Sequence, residues 1–358
     1  MKIIFSGGGT LGPVTPLLAL HEMIAEEYTN ASWYWVGTKR GPERELVEAK
    51  GIPFRTLSSG KFRRYISFWN VIDIFRVGIG FFQSVHFLWK ENPDICISAG
   101  GFISVPVHWA AWLLGIPTWV HQQDVRVGLA NKLMAPCATV VTTSLKGQVA
   151  LFSKKKAVWL GNAVRREVFA GTKKEGLKRF ALDGTLPVLF VTGGGTGSMR
   201  VNQLIVEAVQ HLDGICQIIH LTGKERPQEL IAPTDRQFSY YHPFVFFTEE
   251  MKDAYAVADL VISRGGFGTI TEIAALGKPA ILIPKPGHQE ENVRMLRDAD
   301  AVMVIDEQTS NGNHLARAIK EFFADAERAS AMGKRLQGLL PPAKKSDALD
   351  ILEKVLRQ

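Results

Sequence analysis

Glu272 is the residue whose type and spacing first suggest chemistry. It follows a glycine-rich turn at Gly265–Gly268, and that turn follows an apolar run at Asp259–Ser263. Glycine lets backbone N–H groups approach a phosphate at a helix N-terminus, where the partial positive charge favours an anion. A carboxylate about one helical turn further on can accept hydrogen bonds from two ribose hydroxyls. The spacing therefore predicts a nucleotide-binding turn, although Glu272 could also be an acid that only complements the helix dipole.

A polar segment follows the next apolar strand, Ala280–Ile283. Its side chains offer donors and acceptors for the hydroxyls of a sugar ring, and they are His288, Gln289, Glu290, Glu291 and Asn292. His288 has no second His or Cys at a spacing that completes a metal site, so we interpret it as a loop donor. The order of strand, glycine turn, helix, strand and polar segment is typical of a nucleotide-sugar site.

These motifs need elements that hold them, and the chain repeats one such arrangement. Lys2–Ser6 leads into the glycine segment Gly7–Pro16, and Leu186–Thr192 leads into Gly193–Arg200. Each half therefore opens with a strand, a glycine loop and a helix, and apolar strands then alternate with helical segments. This alternation predicts parallel sheets covered on both faces, with ligands beyond the carboxyl ends of the strands.

The length of 358 residues fits two domains of about 150–180 residues each. We predict an α/β protein with two Rossmann-like domains whose parallel sheets face one cleft. The expected boundaries are 1–162 for the first domain and 163–340 for the second. Residues 341–358 are expected to form a helix that packs back across the hinge, by analogy with similar folds.

Composition narrows the class of protein only modestly. The net charge of +7 suits an anionic substrate, an anionic membrane surface or nucleic acid equally. The basic residues are dispersed without a recognition motif, so we expect no nucleic-acid partner. Cys96, Cys137 and Cys216 lie far apart and match neither zinc-ligand nor disulfide spacing. The N-terminus starts directly with a strand rather than a signal sequence, which leads us to expect a cytoplasmic protein.

One long apolar segment, Phe68–Lys90, raises the question of a membrane span. Asp73, Arg76, Gln83 and His86 interrupt it, and each is costly at the centre of a bilayer, so a spanning helix is rejected. Two interpretations stay open. The segment is either a helix buried between layers, or, with the basic residues of Gly60–Tyr65 before it, a helix that touches an anionic membrane surface.

Several motifs, taken in chain order, resemble the MurG family of peptidoglycan glycosyltransferases. The first glycine segment, GGGTLGPVTPLLAL, and a second, GGFISVP, resemble the family's two N-terminal glycine loops. HQQD followed by GLANK is similar to the HEQN and GLTNK-like segments, and GNAVRREVF to the interdomain NPVR segment. GGGTGSMRVNQ resembles the GGSQGARxxN loop, and SRGGFGTITEIAALGKPAILIP with HQEEN resembles the donor-site signature.

The resemblance implies a fold, an activity and partners. It implies the GT-B architecture and an inverting hexosyltransferase that moves N-acetylglucosamine from UDP-N-acetylglucosamine to lipid I, the undecaprenyl-pyrophosphoryl-muramyl pentapeptide. The product is lipid II, for peptidoglycan synthesis. No cofactor or metal is expected, and the implied location is peripheral, on the cytoplasmic face of the bacterial inner membrane, against its anionic surface.

The same resemblance assigns residues to the two substrates. The first domain would bind the acceptor and associate with the membrane, and the second would bind the UDP-sugar. Donor-binding residues would be Arg165, Gly194, Gly195, Thr196, Thr248, Gly265, Gly266, Phe267, Gly268, Thr269, Glu272, Gln289, Glu290 and Asn292. Acceptor-binding residues would be Thr10, Leu11, Gly12, Pro13, Gly100, Gly101 and Phe102.

The first loop departs from the family pattern in a way that concerns catalysis. The family commonly has a histidine there, often proposed as the base, and Pro13 cannot accept a proton. Asp124 stands where the family usually has asparagine, so we hypothesise that Asp124 deprotonates the acceptor hydroxyl. An N-cap role for Asp124 in the following helix is the alternative. A related transferase with another acceptor, and a catalytically silent UDP-sugar-binding scaffold, also stay open.

Overall fold

The computed structural model describes residues 1–60, 68–195, 197–224, 226–228 and 237–357. They form two compact units: unit 1 is Met1–Arg165 with Pro342–Gln358, and unit 2 is Arg166–Pro341. Every strand pair in both units is parallel within the described residues. The prediction of an α/β protein with two Rossmann-like domains is confirmed.

Unit 1 has a sheet of seven strands among its described residues, in the order β3-β2-β1-β4-β5-β6-β7. The strands are β1 Lys2–Ser6, β2 Ser32–Gly37, β3 Phe54–Thr56, β4 Ile95–Ser98, β5 Thr118–Gln122, β6 Val140–Thr143 and β7 Ala157–Trp159. The helices between them are α1 Val14–Ala25, α2 Glu43–Ala49, α3 Phe68–Glu91, α4 Ser104–Leu113 and α5 Leu129–Met134. Ile3 and Phe5 face one apolar cluster and Ile4 faces another, because successive side chains of β1 point to opposite faces.

Unit 2 has six strands among its described residues, in the order β10-β9-β8-β11-β12-β13. The strands are β8 Val188–Thr192, β9 Gln217–Leu221, β10 Tyr241–Phe244, β11 Leu260–Ser263, β12 Ala280–Leu282 and β13 Met303–Val304. The helices are α6 Lys173–Arg179, α7 Met199–Val209, α8 Met251–Val257, α9 Phe267–Ala275, α10 His288–Asp298, α11 Gly312–Ala324 and α12 Ala326–Leu339. All residues of β8 and β11 are buried, which explains their continuous apolar sequences.

Strand order reverses at one place in each sheet, and the glycine loops lie there. In unit 1 the strands run outward on one side from β1 and on the other from β4, and Ser6 pairs with Ser98. In unit 2 the corresponding pair is β8 and β11, where Thr192 pairs with Ser263. Each of these four residues ends its strand just before a glycine loop. Crevices at such switch points are where open α/β sheets bind ligands.

The chain ends in unit 1. Asn162 and Pro342 form a bridge, and the Ala343 N–H donates to the Asn162 carbonyl over 2.7 Å. The last helix, α13 Lys345–Leu356, then packs against α1. Its buried residues Ala348, Ile351, Leu352 and Val355 recur every three or four positions, so they form one stripe that joins the core of unit 1.

Helix α3 corrects one of the two interpretations of the long apolar segment. Ser84, Phe87 and Leu88 are buried, but other apolar side chains of the helix lie in solvent. The interpretation of this segment as a helix buried between layers is therefore wrong. In the part of the chain that the structure describes, no helix is both long and apolar enough to cross a membrane.

Candidate functional site

Two glycine loops lie side by side at the switch point of unit 2. In the loop after β8, the Gly194 N–H donates to Thr192 Oγ1 over 3.2 Å, and Gly194 and Gly197 have φ values of 81° and 71°. Left-handed backbone of this kind favours glycine. Ser198 then caps α7 by accepting a hydrogen bond from the Val201 N–H. Thr196, assigned to this loop by the resemblance, lies outside the described residues.

The second loop, after β11, leads into an open helix N-terminus. Gly266 is the N-cap of α9, no side chain caps the helix, and its first turn contains no acidic residue. The first N–H groups of α9 thus meet the requirements of a phosphate site. Phe267 is buried in the core, so only its backbone can contact a ligand there.

Glu272 lies one turn into α9 and is 4% exposed. The Tyr255 hydroxyl, from α8, donates to Glu272 Oε2 over 3.0 Å. The ring of Phe190 packs edge-on against Tyr255 at 5.4 Å between centroids. Burial and this hydrogen bond fix the rotamer of the carboxylate, which is what a group that must meet a pair of hydroxyls requires.

The polar segment predicted to read a sugar forms the start of α10. Asn292 is fully buried and its Nδ2 donates to the Gly265 carbonyl over 3.1 Å, so it ties the second glycine loop to this helix. Gln289 Oε1 accepts from the Lys285 N–H at 2.9 Å, and Glu290 Oε2 accepts from the Gly287 N–H at 2.9 Å. The structure therefore gives Asn292 a role in positioning the loop. It brings Gln289 and Glu290 to the helix start, beside that loop.

Thr248, one of the donor-binding residues that the resemblance implies, is exposed just before α8. Its N–H donates to Glu250 Oε2 over 2.9 Å. Partial burial acts to raise the pKa of Glu250, but hydrogen bonds from the backbone N–H groups of Glu250, Thr248 and Glu249, with the Arg179 charge, lower it overall. The carboxylate thus holds the turn at Thr248 in one conformation.

A buried hydrogen-bond chain lies behind the first loop of unit 2, and sequence reasoning missed it. Asn202 Nδ2 donates to the Thr222 carbonyl over 3.0 Å, which leaves Asn202 Oδ1 to accept from His220 Nε2 at 3.1 Å. Burial lowers the pKa of His220 to about 3, so the ring is neutral and its Nδ1 accepts from the Tyr241 hydroxyl at 2.7 Å. A Cβ at Gly197 would stand 2.5 Å from the Thr222 carbonyl. The chain therefore braces the strand end on which the loop rests.

The two glycine loops of unit 1 also touch each other. A Cβ added at Gly101 would stand 3.0 Å from the Gly8 carbonyl, and one at Gly9 would stand 2.6 Å from the Phe102 ring. Ser104 joins the two strand ends, since its Oγ donates to the Ser6 and Gly100 carbonyls. The structure brings together the predicted acceptor residues of both loops.

Helix α1 begins directly after the first loop. Pro13 is its N-cap, no side chain caps the helix, and no acidic residue lies in the first turn. Thr10 and Gly12 are exposed, and Leu11 and Pro13 are half-buried. The Val14 and Thr15 N–H groups both donate to the Leu11 carbonyl, and Pro16 has no N–H, so the first turn of α1 offers no free N–H group to a pyrophosphate.

Asp124 lies beyond the carboxyl end of β5 and is half-buried. Its carbonyl accepts from Gln122 Nε2 at 2.6 Å and from Gln148 Nε2 at 2.5 Å, so two amides hold its backbone in place. The N-cap of α5 is Gly128, without a side-chain cap. The alternative in which Asp124 is the N-cap of that helix is therefore wrong.

Two neighbours of Asp124 are structural. His121 is fully buried between Thr142 Oγ1 at 2.9 Å and Ser144 Oγ at 3.1 Å, and burial lowers its pKa to about 4. Asn131 donates to the His121 carbonyl and to Gln122 Oε1. Its own Oδ1 would lie 3.3 Å from a Cβ at Gly100. Asn131, in the GLANK segment, thus links the Asp124 region to the second glycine loop.

The sequence also predicted Arg165 as a donor-binding residue and no metal site. Arg165, which ends the first segment of unit 1, is half-buried. No group of three His, Cys, Asp or Glu that could hold a metal occurs among the residues described. The absence of a cofactor requirement stays a prediction.

Comparison with known proteins defines the class and then the family. Residues 3–143 match the glycosyltransferase family 28 N-terminal domain and residues 188–353 its C-terminal domain, so the chain is a family 28 glycosyltransferase. A protein of Lachnospira eligens named UDP-N-acetylglucosamine–N-acetylmuramyl-(pentapeptide) pyrophosphoryl-undecaprenol N-acetylglucosamine transferase is 36% identical over 329 residues, 90% of this chain and 91% of that protein. A protein of the same name from Thermoanaerobacter sp. is 33% identical over 365 residues, 100% and 99% of the two chains.

The chain belongs to this transferase family, the MurG family, as its motifs predicted. Among solved structures, that of Acinetobacter baumannii MurG has a TM-score of 0.74 at 22% identity, and covers 99% of both chains. This likeness supports the GT-B fold.

Proposed function

We propose that this chain transfers N-acetylglucosamine from UDP-N-acetylglucosamine to the C4 hydroxyl of the muramyl sugar of lipid I and so forms lipid II. The observation that carries the proposal is Glu272, a buried glutamate one turn into an uncapped helix N-terminus. The named relatives, which match almost the whole chain, support the same reaction.

Unit 2 binds the donor. The N–H groups at the start of α9 and the backbone of Gly194 and Gly195 hold the diphosphate, and Glu272 accepts from the two ribose hydroxyls. Gln289 and Glu290 hydrogen-bond to the sugar hydroxyls. Their present hydrogen bonds each use one side-chain oxygen, so the Gln289 amide group and the second Glu290 oxygen supply the contacts.

Unit 1 binds the acceptor. The loop at Thr10–Pro13 and the loop at Gly100–Phe102 hold the pyrophosphate of lipid I, and Asp124 is the general base. Its carboxylate takes the proton of the C4 hydroxyl as that oxygen attacks the anomeric carbon. The bond from that carbon to the UDP oxygen breaks in the same displacement, and the anomeric configuration inverts. The N-terminus of α9 and Arg165 stabilise the charge that develops on the leaving diphosphate.

Release of UDP tests this reaction. Wild-type protein with UDP-N-acetylglucosamine is expected to release UDP only when a lipid I analogue is present, and to release much less from UDP-glucose. Release without any acceptor would identify a hydrolase, and binding of donor without any release would identify the silent scaffold. Full turnover by the Asp124→Asn variant would overturn the assignment of the base.

The surface of unit 1 supports membrane association. Phe75, Ile79, Phe82 and Trp89 of α3 are 53–74% exposed and recur every three, four or seven positions, so they form one stripe. Helix α3 packs on α4, whose Trp112 and Leu113 are exposed, and α4 packs on α5, whose Leu129 and Leu133 are exposed. We call these eight residues the apolar surface.

Charge complements the apolar surface. Arg76 and Lys90 are exposed on α3, and Lys132 is exposed on α5. Basic groups beside apolar side chains fit the interface of an anionic membrane. Residues 61–65 of the basic segment Gly60–Tyr65 lie outside the described residues.

Vesicle sedimentation tests this surface. The protein is expected to bind phosphatidylcholine vesicles that contain phosphatidylglycerol, and to bind pure phosphatidylcholine more weakly. The double variant Phe82→Ser with Trp89→Ser should weaken binding at least about tenfold, because each side chain loses apolar burial in the interface. Phe169→Ser, an exposed aromatic of unit 2, is the matched control. Equal binding by both variants would contradict the proposal.

A further inference from the structure

A buried carboxylate lies behind the first glycine loop of unit 1, and no step of the proposed reaction uses it. Glu43, the first residue of α2, is 0% exposed. Its Oε1 accepts from both the N–H and the hydroxyl of Thr38, each at 2.6 Å. Its Oε2 accepts from the Gly9 N–H at 3.2 Å. One side chain therefore joins the loop after β2 to the glycine loop after β1.

Three glycines leave room for this carboxylate. An added Cβ would stand 2.1 Å from Glu43 Oε1 at Gly8, 3.2 Å from the same oxygen at Gly37, and 1.9 Å from Oε2 at Gly41. Side chains at Gly8 and Gly41 would occupy the space of the carboxylate, whereas one at Gly37 would first meet the Phe54 ring at 2.3 Å. The glycines of the first loop and of the segment Gly37–Gly41 are thus explained in part by Glu43, rather than by a ligand alone.

Within the described part of the chain, only neutral hydrogen-bond donors compensate the buried carboxylate of Glu43. No ion pair joins Glu43 to any Lys or Arg there, and its hydrogen bonds come from Gly9 and Thr38. The absence of solvent exposure also means that Glu43 cannot meet a substrate. Its effect on chemistry must pass through the loop that it holds.

We propose that Glu43 is a positioning residue for the acceptor: it fastens Gly9 so that the first glycine loop is preorganised to bind the pyrophosphate of the lipid-linked substrate. This inference rests on the proposed function, which assigns that loop to the acceptor. Fixing the loop before binding removes an ordering cost that would otherwise weaken acceptor affinity.

The geometry makes a carboxylate necessary. Both oxygens face backbone N–H groups, which can only donate. In a Glu43→Gln variant the amide oxygen can remain on Thr38, which offers two donors, and the NH₂ group must then face the Gly9 N–H. The variant therefore breaks the Gly9 contact selectively while it keeps the volume of the side chain.

Steady-state kinetics of the full chain test the role. Glu43→Gln is expected to raise KM for a lipid I analogue about tenfold, since a buried donor loses its partner, while KM for UDP-N-acetylglucosamine stays at the wild-type value. Gly41→Ala should act in the same direction, because its Cβ displaces the carboxylate without changing the charge. Glu48→Gln, the same change at an exposed ion pair of α2, is the matched control and should behave as wild type.

Hydrogen exchange separates this inference from the proposed function. Amides of the peptide that contains Gly9 should exchange faster in Glu43→Gln than in Glu48→Gln, whatever the acceptor is. Unchanged exchange, an unchanged acceptor KM, or an equal rise in both KM values would overturn the role of Glu43. If the wild type lacks acceptor-dependent turnover, the proposed function fails, and the exchange at Gly9 still decides whether Glu43 holds the loop.

Discussion

At the scale of single residues, Glu272 shows how the unit 2 site is prepared before a ligand arrives. Its carboxylate is buried, and Tyr255 fixes one oxygen from a neighbouring helix. Asn292 fixes the adjacent glycine loop by donating a hydrogen bond to the Gly265 carbonyl. Side chains already held in place lose little conformational freedom on binding, which favours affinity.

The Glu272→Gln variant tests this residue. An amide accepts the ribose hydroxyls through one neutral oxygen in place of a charged group, and hydrogen bonds to charged groups contribute about 1.5–3 kcal/mol. We expect the Kd for UDP-N-acetylglucosamine, measured by calorimetry, to rise about 10-fold to 100-fold. Glu327→Gln, at an exposed position of α12, should leave the Kd unchanged. A wild-type Kd for Glu272→Gln would remove Glu272 from the donor site.

Buried histidines predict a pH dependence of stability. Burial lowers the pKa of His108 and of His220 to about 3 and that of His121 to about 4. In an unfolded chain, histidine side chains have a pKa of about 6.5. Below that pH the unfolded chain binds protons that the folded chain does not, so stability falls as the pH drops from about 6.5 toward 4.

His108 offers the sharpest check, because neither ring nitrogen has a hydrogen-bond partner within the described residues. From pH 7 to pH 5 each such histidine should cost the folded state about 2 kcal/mol. His108→Leu should remove one histidine's share of that loss and be more stable than wild type at pH 5. Urea unfolding at the two pH values measures it. An identical loss of stability between pH 7 and pH 5 in wild type and variant would contradict the role given to His108.

At the scale of secondary-structure elements, α13 illustrates how unit 1 depends on the end of the chain. Leu352 is fully buried in the core cluster that also contains residues of β1 and α1. Leu352→Ala should lower the free energy of unfolding by about 2–5 kcal/mol, through lost burial and the cavity left behind. Lys354→Ala, on the exposed side of the same helix, should change it by less than about 0.5 kcal/mol. Thermal denaturation compares the two, and equal effects would contradict the packing of α13.

Much at this scale could be predicted from the sequence. Apolar runs such as Val188–Thr192 and Leu260–Ser263 predicted buried parallel strands, and glycines marked the turns that follow them. The two faces of α3 could not be separated in this way. Large apolar residues lie on both its exposed and its buried sides, so periodicity gives no sign of which side packs on α4.

The residues of the candidate site also differ in whether the sequence alone predicts them. Glu272 and the glycine loops have local signals, because their function depends on spacing within one turn. Glu43 and the chain Tyr241–His220–Asn202 depend on contacts between loops that are distant in sequence. Gly8 and Gly41 can be read from the sequence, but the carboxylate that explains them becomes evident only when the loops meet.

At the scale of the whole molecule, the two units share one arrangement of strands and glycine loops. A reversal of strand order places two glycine loops together, and buried side chains hold those loops: Glu43 and Ser104 in unit 1, and Asn292 in unit 2. Alternating strands and helices predicted the sheets but not this strand order. Two such units suit a reaction whose donor and acceptor both carry pyrophosphate.

Product analysis tests the central claim most directly. Protein is incubated with UDP-N-acetylglucosamine labelled in the sugar and with a lipid I analogue, and the lipid fraction is analysed for label and for its anomeric configuration. We predict one labelled N-acetylglucosamine per acceptor, attached at C4 of the muramyl sugar with an inverted anomeric centre. Label that stays in the aqueous fraction as free sugar, or that reaches another position of the acceptor, would contradict the account.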